Sequence, residues 1–594
     1  MNSLRTTIDK LLMLFNKRAK KKLVILFFMM IMAAVFETVG IGLIVPFVGM
    51  MTNPSVIQEN ALLSFLYHML HFQSTSAFMI FATVVLLSIF MLKNSYLLFF
   101  HYIQYRIVLN EQVRLSQRLL QRYLTKPYTF HLQRNSAELL RNVNEEVPRV
   151  FQGIVLSTFQ LLAEALVIIC IFVLLLVTAF QATVIASILL GGSVCLFFKV
   201  FRKKISTLGK EQQVVSGSVI KWVNQGLGAS KEVKVSGKEA FFVQSYTKQS
   251  QIKANNSRYM KVLEQIPRLF IETLLVSVIL ITMLMIIFQG TDTSQLVSTM
   301  ALFSMAAFRL MPSINRVVAM ITTIKYSQPA LNVIYEDLLK EENSFQETNL
   351  NQVSRSSFKG KGYFQDSIDL KEVFFRYPNQ KEFSIENVSL TIPIGESVAF
   401  IGESGAGKTT IVDIILGLFQ PEKGEVLVDG KPLFQQIERW QQKIGYVPQS
   451  IFLSDDSIRN NVAFGIDPAC IDDTEVWRAI EQAQLREYVE NLTDGINTTV
   501  GERGIQLSGG QRQRIGIARA LYHNPEILFM DEATSALDNQ TEQEMMKAID
   551  CLKGEKTIII IAHRLSTIEN CDRIFKVKRG RIEAIQYGIE RSVI

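Results

Sequence analysis

Lys and Arg are absent from three long windows of this chain, Leu23 to Leu92, Val150 to Phe198 and Leu269 to Phe308. Each window holds two apolar runs around a short polar break. That is what a helical hairpin entering and leaving a bilayer of about 30 Å requires. Six spans are expected, near 23–50, 77–100, 150–177, 180–201, 266–288 and 295–320.

The segments between the windows carry the cations, including Lys17 to Lys22, Arg106 to Arg149 and Lys199 to Arg268. The outer breaks, near 52–76, 178–182 and 289–294, carry none. By the positive-inside rule the N-terminus, the long connections and the second half face the cytoplasm, and the chain is a multi-pass protein of the cytoplasmic (inner) membrane. Counting Lys and Arg against Asp and Glu, residues 1–340 carry +18 and residues 341–594 carry −10. The positive half flanks apolar runs, so it argues for a bilayer partner and against nucleic acid. The first apolar run is too long for a signal-peptide core and has no small-residue cleavage pattern, so it reads as a retained helix. Cys170, Cys195, Cys470, Cys551 and Cys571 show no paired spacing and suit a reducing cytoplasm, and no protein metal cluster is indicated.

Residues 1–22 read as an amphipathic lead along the inner interface, an elbow helix, with a solvated tail as the alternative. A six-helix membrane domain is expected over 23–330, a polar linker over 331–365 and an α/β domain over 366–594. Tyr102 to Arg149 and Arg202 to Arg268 are polar and mostly free of proline, as expected if the helices continue well past the membrane. Asn60 to Phe72 is apolar and too short to span, and reads either as an external interfacial helix or as a loop packed on the bundle. Buried strands are expected at Ser397 to Ile401, Ile444 to Val447, Ile527 to Asp531 and Thr557 to Ala562. The fold class is therefore an α-helical membrane bundle, six transmembrane helices with long cytoplasmic extensions, followed by an α/β domain.

After the strand at 397–401 come Gly402, Glu403, Ser404, Gly405, Ala406, Gly407, Lys408, Thr409 and Thr410, then an apolar helix from Ile411 to Leu418. Glycines let backbone N–H groups turn onto phosphates. Lys408 supplies a point charge for the β and γ groups, and the Thr409 hydroxyl can ligate Mg²⁺. Farther on, the apolar strand at 527–531 ends in two carboxylates. Asp531 is placed for the magnesium shell and Glu532 for polarising the attacking water, since hydrolysis needs an in-line nucleophile beside a neutralised phosphate.

Between the two lies Leu507 to Gln511, Leu-Ser-Gly-Gly-Gln. With it, residues 366–590 resemble the ATP-binding cassette proteins, and the resemblance implies that the α/β domain is a P-loop ATPase domain. The resemblance implies ATP and Mg²⁺ as cofactors, Tyr377 as the aromatic stacked on adenine, and Gln449 as the loop glutamine that senses magnesium and water. It implies that Ser508, Gly509, Gly510 and Gln511 cap ATP, that Ser535 to Asp538 follow the base, and that His563 is the switch histidine near the γ-phosphate. Each motif occurs once, so the signature of one chain should serve the Lys408 site of a second, and a homodimer with two equivalent sites is expected.

Six spans followed by one cassette resemble an exporter half-transporter. Thr499 to Gly504 resembles the exporter loop that contacts the intracellular extensions, and coupling helices are expected within Lys126 to Glu146 and Gly226 to Tyr246. No peptidase-like extension precedes the first span, which argues against a bacteriocin-processing exporter.

Inside the bilayer, Arg309 and Arg316 on the sixth span, Lys93 on the second and Glu37 on the first are the candidate substrate-cavity residues. Intramembrane cations tend to face a cavity and suit an anionic head group such as a phosphate or pyrophosphate. Snorkelling to the inner interface is the alternative for the cations, and Glu37 reads as a cavity residue or as the partner of a cation on another helix. These residues, the first-span wording and the possible external helix resemble the flippases of lipid-linked oligosaccharides. The expected function is an ATP-hydrolysing exporter that flips a lipid or lipid-linked oligosaccharide. A multidrug or peptide exporter of the same architecture is the runner-up, and an ATP-gated channel or sensor is a more distant third.

Overall fold

The computed structural model describes residues 2–52, 57, 61–72, 74–178, 180–288, 293–339, 364–532, 542–543, 546, 549–562, 568 and 571–587. The chain forms two compact units, residues 1–126 with 134–348 and residues 127–133 with 349–594.

Regular secondary structure among the described residues of the first unit is all helical. It begins with α1 (Asn2–Leu14), α2 (Lys17–Thr52), α3 (Ala61–Met69) and α4 (Thr75–Thr125). The short α5 (Tyr128–Gln133) groups with the second unit. The next helix, α6, begins at Ser136–Arg141, widens into π-helical turns at Asn142–Glu146 and Phe151–Leu156 around Pro148, and continues as Ser157–Thr178. Then come α7 (Phe180–Gly228), α8 (Ser230–Ser236), α9 (Glu239–Phe288) and α10 (Thr293–Leu339).

Six of these helices, α2, α4, α6, α7, α9 and α10, cover the six expected spans. The 51 residues of α4 measure roughly 75 Å at 1.5 Å per residue, far more than a bilayer core of about 30 Å. Along its C-terminal part Gln104, Val108, Glu111, Leu115, Leu119 and Tyr123 are buried at intervals of three and four, one stripe facing the bundle. Nearer its N-terminal end Leu87, Met91 and Leu98 are exposed in the single chain. Glycine allows the tightest approaches in the bundle. A Cβ on Gly153 of α6 would lie 2.1 Å from Ser327 Oγ of α10, and one on Gly209 of α7 would lie 2.3 Å from the Tyr326 carbonyl oxygen.

Two boundaries differ from expectation. The basic cluster at 17–22 is the first turn and more of α2 rather than part of the lead. The lead itself packs on the far end of α10: Lys10 donates to Asn332 Oδ1 at 2.7 Å and Gln328 donates to the Thr7 hydroxyl at 2.9 Å. The linker expected from residue 331 starts later, because Leu331, Ile334 and Leu338 are buried and prolong the helix to Leu339. As for Asn60 to Phe72, the chain is helical over Ala61–Met69, and Tyr67 sets its ring edge against Phe78 at 5.4 Å while Phe65 and Met69 remain exposed.

In the second unit an antiparallel sheet of order β2-β1-β4-β5 accompanies a six-stranded sheet of order β10-β9-β3-β8-β7-β6. The first sheet comprises β1 (Ser367–Phe375), β2 (Ile385–Pro393), β4 (Lys423–Val428) and β5 (Lys431–Pro432). The second comprises β3 (Ser397–Ile401), β6 (Ile444–Val447), β7 (Ile527–Asp531), β8 (Thr557–Ile561), β9 (Arg573–Lys578) and β10 (Arg581–Tyr587). Strands β3, β6, β7, β8 and β9 run parallel and the β9–β10 pair is antiparallel. Continuous apolar runs such as Ile-Leu-Phe-Met are buried on both faces, as parallel strands under helices must be. Three helices matter to the site and its support: α11 (Lys408–Ile415), α12 (Ile437–Lys443) and α13 (Gly509–Leu521). On α12 the fully buried Trp440 packs on Phe529 of β7 and Phe364.

Candidate nucleotide site and membrane charges

The parallel strands deliver their C-terminal ends to one edge of the sheet, which in an open α/β fold is where ligands bind. Strand β3 leads straight into the glycine-rich loop and α11 follows it. Gly402 has φ +147, and a Cβ there would sit 2.2 Å from the Val577 carbonyl oxygen of β9. Gly407, with φ +107, is the N-cap of α11. The first-turn N–H groups of that helix therefore open toward the loop, an arrangement that favours an anion.

Lys408 is 5 % exposed, and its Nζ donates to the carbonyl oxygens of Gly402 at 2.8 Å and Glu403 at 3.0 Å. Burial pulls its pKa down, and the carboxylates of Glu532 and Asp531 oppose that shift. Lys408, Asp531 and Glu532 thus share one electrostatic field. Thr409 is exposed on the first turn, whereas Thr410 is buried and shares a 3.0 Å hydrogen bond with the Tyr377 hydroxyl. Tyr377 also sets its ring against Phe375 and Phe419 at 5.2 and 5.5 Å, so it closes the apolar cluster beneath the loop as well as standing beside it.

Asp531 is the last residue of β7 and 6 % exposed. Glu532 follows with φ +47, a left-handed backbone that costs a non-glycine residue on the order of 1 kcal/mol and persists only where its surroundings hold it. Its N–H donates to the Ile561 carbonyl at 3.2 Å, and its carboxylate accepts from Gln449 Nε2 at 2.6 Å. The segment after β6 and the end of β7 are joined by this bond.

A hydroxyl, a carboxylate and an amide oxygen make a hard, oxygen-only donor set that fits magnesium. Among the described residues no group of three or more His, Cys, Asp and Glu gathers as a protein metal cage. Phosphate oxygens would have to complete such a shell.

Ser508 caps α13. Its Oγ accepts from the Gln511 N–H at 3.2 Å, while Gln511 Oε1 accepts from the Ser508 N–H at 2.8 Å, a reciprocal capping box. The N–H groups of Gly509 and Gly510 are left at an accessible helix N-terminus, a second anion-favouring end on the same unit. Among the described residues, no hydrogen bond or ion pair joins Ser508 to Gln511 with Gly402 to Thr410. His563 and Ser535 to Asp538 lie outside the described residues.

One acidic residue escaped the sequence reading. Asp413, one helical turn beyond Thr409, has its pKa pushed up to about 7, by burial first and by the Asp531 charge second. Its signal is a carboxylate among the buried Ile411, Val412, Ile414 and Ile415.

In the membrane half, Arg316 pairs with Glu164 of α6, Nε to Oε1, at 2.7 Å. Glu164, not Glu37, is therefore the described partner of Arg316, and pairing lowers the cost of both charges in a low-dielectric surround. Lys93 lays its Nζ over the Phe90 ring at 4.7 Å and passes its stem against Gly40 of α2. Glu37 is half-buried on α2. The side chain of Arg309 lies outside the described residues, and no described contact gathers these four groups into one cavity.

Comparison with known proteins accords with both halves. Residues 22–311 match the ABC transporter transmembrane region and residues 385–535 match the ABC transporter family. The ATP-dependent lipid A-core flippase of Cupriavidus pinatubonensis (strain JMP 134 / LMG 1197) is 32% identical over 475 residues, covering 79% of this chain and 78% of the relative. Its namesake in Pseudoalteromonas translucida (strain TAC 125) is 29% identical over 527 residues, covering 87% and 86%. Among solved structures, a bacterial Atm1-family ABC exporter with ATP bound shares the fold with a TM-score of 0.76 at 21% identity, over 97% of this chain and 96% of that one.

Proposed function

Because the chain belongs to the ABC transporters, whose ATPase activity is coupled to transport, we propose that it works as a homodimeric exporter that flips an anionic lipid or lipid-linked glycan across the cytoplasmic membrane. The observation that carries the cargo assignment is the extent of the likeness. At 32% identity it runs over 475 residues, too many for the nucleotide-binding half alone, in relatives named as lipid A-core flippases. Cations at Lys93, Arg309 and Arg316 within the spans support an anionic head group.

At the motor, Lys408 and the first-turn amides of α11 hold the β and γ phosphates. Thr409, Asp531 and Gln449 would hold Mg²⁺, which when bound neutralises phosphate charge. Glu532 accepts the proton of the attacking water as its oxygen bonds to the γ-phosphorus and the bond to the bridging oxygen breaks. Gln449 orients Glu532 through their hydrogen bond, Tyr377 contacts adenine, and His563 contacts the γ-phosphate. Ser508 to Gln511 serve the site of the second copy. Support for that copy comes from the tip between α7 and α9, outside the spans, where Leu227 is 74% and Val235 82% exposed in the single chain.

The test is an ATPase-stimulation and transport screen in proteoliposomes with lipid A-core glycolipid, polyprenyl-pyrophosphate glycan, phospholipids, amphipathic cations and peptides. Stimulation by an anionic glycolipid, lost in Arg309→Ala, is expected. Stimulation by amphipathic cations or peptides alone would replace the lipid reading with a multidrug or peptide exporter.

A further inference from the structure

The chain passes between its two units at 126/127, 133/134 and 348/349. Residues beside these passages meet, inside the first unit, at one carboxylate. Tyr123 lies in the last turn of α4, before the first passage. Arg134 is the first residue after the second, and Asp337 lies in the last turn of α10, the last described helix before the third. The Tyr123 hydroxyl donates to Asp337 Oδ2 at 2.5 Å and Arg134 donates to Asp337 Oδ1 at 3.4 Å.

Asn142 completes the arrangement from the first π-helical turn of α6. It is fully buried, and its Nδ2 donates to Asp337 Oδ2 at 3.0 Å and to the Tyr123 oxygen at 3.1 Å. Its Oδ1 accepts from Arg141 at 2.8 Å, and Arg141 in turn donates to the Gln213 carbonyl of α7 at 3.0 Å. The Asp337 side chain is 6% exposed and takes donors from three separate segments. A buried carboxylate satisfied in this way resists separation of any one segment from the others, because each departure strands a buried charge or donor.

We propose that Asp337 is a positioning residue of the transport cycle: by gathering Tyr123, Arg134 and Asn142 it makes α4, α6 and α10 move as one body when the nucleotide-binding unit moves. The proposal rests on the exporter reading. It assigns Asp337 no part in ATP binding or hydrolysis. Its role is to pass the displacement on to the spans.

The experiment places spin labels on the full-length protein in proteoliposomes, at Val84 on the membrane part of α4 and, separately, at Glu490 on the nucleotide-binding unit. Distances between copies are read without nucleotide and after trapping with ATP, magnesium and vanadate. In Asp337→Asn the Glu490 distance still shortens and ATP turnover stays within about twofold of wild type, while the Val84 distance change shrinks by at least about threefold. Tyr123→Phe does the same, the double variant is no worse than either single one, and Asp337→Glu recovers part of the Val84 change. A wild-type-sized Val84 change in Asp337→Asn would overturn the proposal, as would loss of turnover and both distance changes together, which is the mark of a general folding role. A wild-type protein that hydrolyses ATP with no Val84 change would overturn the exporter reading and the proposal with it.

Discussion

Gln449 and Glu532, which follow neighbouring strands of the sheet, are joined side chain to side chain at 2.6 Å, with Glu532 held in a left-handed backbone conformation. The strained residue is the one assigned the proton transfer, and the amide that holds it lies on a different segment. Glu532→Gln keeps the shape and removes the base. It should bind ATP with near-normal affinity while turnover falls by on the order of 10²- to 10⁴-fold, measured by phosphate release beside nucleotide binding. Wild-type turnover in this variant would refute the assignment.

Gly402→Ala should damage the loop before it damages the fold. The added methyl meets the Val577 carbonyl oxygen at 2.2 Å, and neither backbone can move without disturbing the β3–β9 pairing. ATP affinity should drop at least about tenfold, roughly 1.4 kcal/mol, with the melting temperature changed less than in a buried core deletion. Fluorescent nucleotide titration and a thermal melt of the same sample separate the two.

Asp413 should give the nucleotide-free protein a pH signature. With its pKa raised to about 7 from an ordinary 3.8, the folded chain binds more proton than the unfolded chain between those values. The stability it contributes is therefore full below about pH 4 and is lost as the pH rises through 7. Without nucleotide or magnesium, wild type should lose melting temperature relative to Asp413→Asn between pH 5 and 8. Parallel melting curves for the two proteins would contradict the raised value.

Asn461 should be among the costliest polar side chains to remove. It is fully buried, and its Oδ1 accepts from the Ser454 N–H, the Ser454 hydroxyl and Arg519, while its Nδ2 donates to the carbonyls of Ser454 and Ser457 at 3.0 Å each. Arg519 belongs to α13, so the amide ties the segment after Gln449 to the helix capped by Ser508. Asn461→Ala should cost about 2–4 kcal/mol in denaturant unfolding of the nucleotide-binding unit, since several buried donors and acceptors lose their partners at once.

Most of the scaffold was legible because it is written in local patterns. Cation-free windows located α2, α4, α6, α7, α9 and α10, apolar runs located β3, β6, β7 and β8, and glycine spacing located the loop between β3 and α11. What escaped depends on partners far away in sequence. Nothing near Arg316 names Glu164, and nothing near Tyr123 names Asp337. The linker boundary was misplaced because the burial of Leu331, Ile334 and Leu338 against the bundle, rather than their local propensity, keeps α10 helical. Asp413 was passed over because a desolvated carboxylate looks like any other until the helix around it is known to be buried.

The two π-helical turns of α6 have a consequence for its facing. Each wide turn takes up about one residue more than an α-turn, so every side chain beyond it is rotated by roughly 100° about the axis relative to an unbroken helix. The stripe that carries Asn142 is thus out of phase with the stripe that carries Glu164. Deleting one residue from Phe151–Leu156 would restore the regular pitch and leave Glu164 facing Arg316, because the wide turn holds the residue removed, whereas deleting one from the regular turns between Leu156 and Glu164 would swing Glu164 away by roughly 100°.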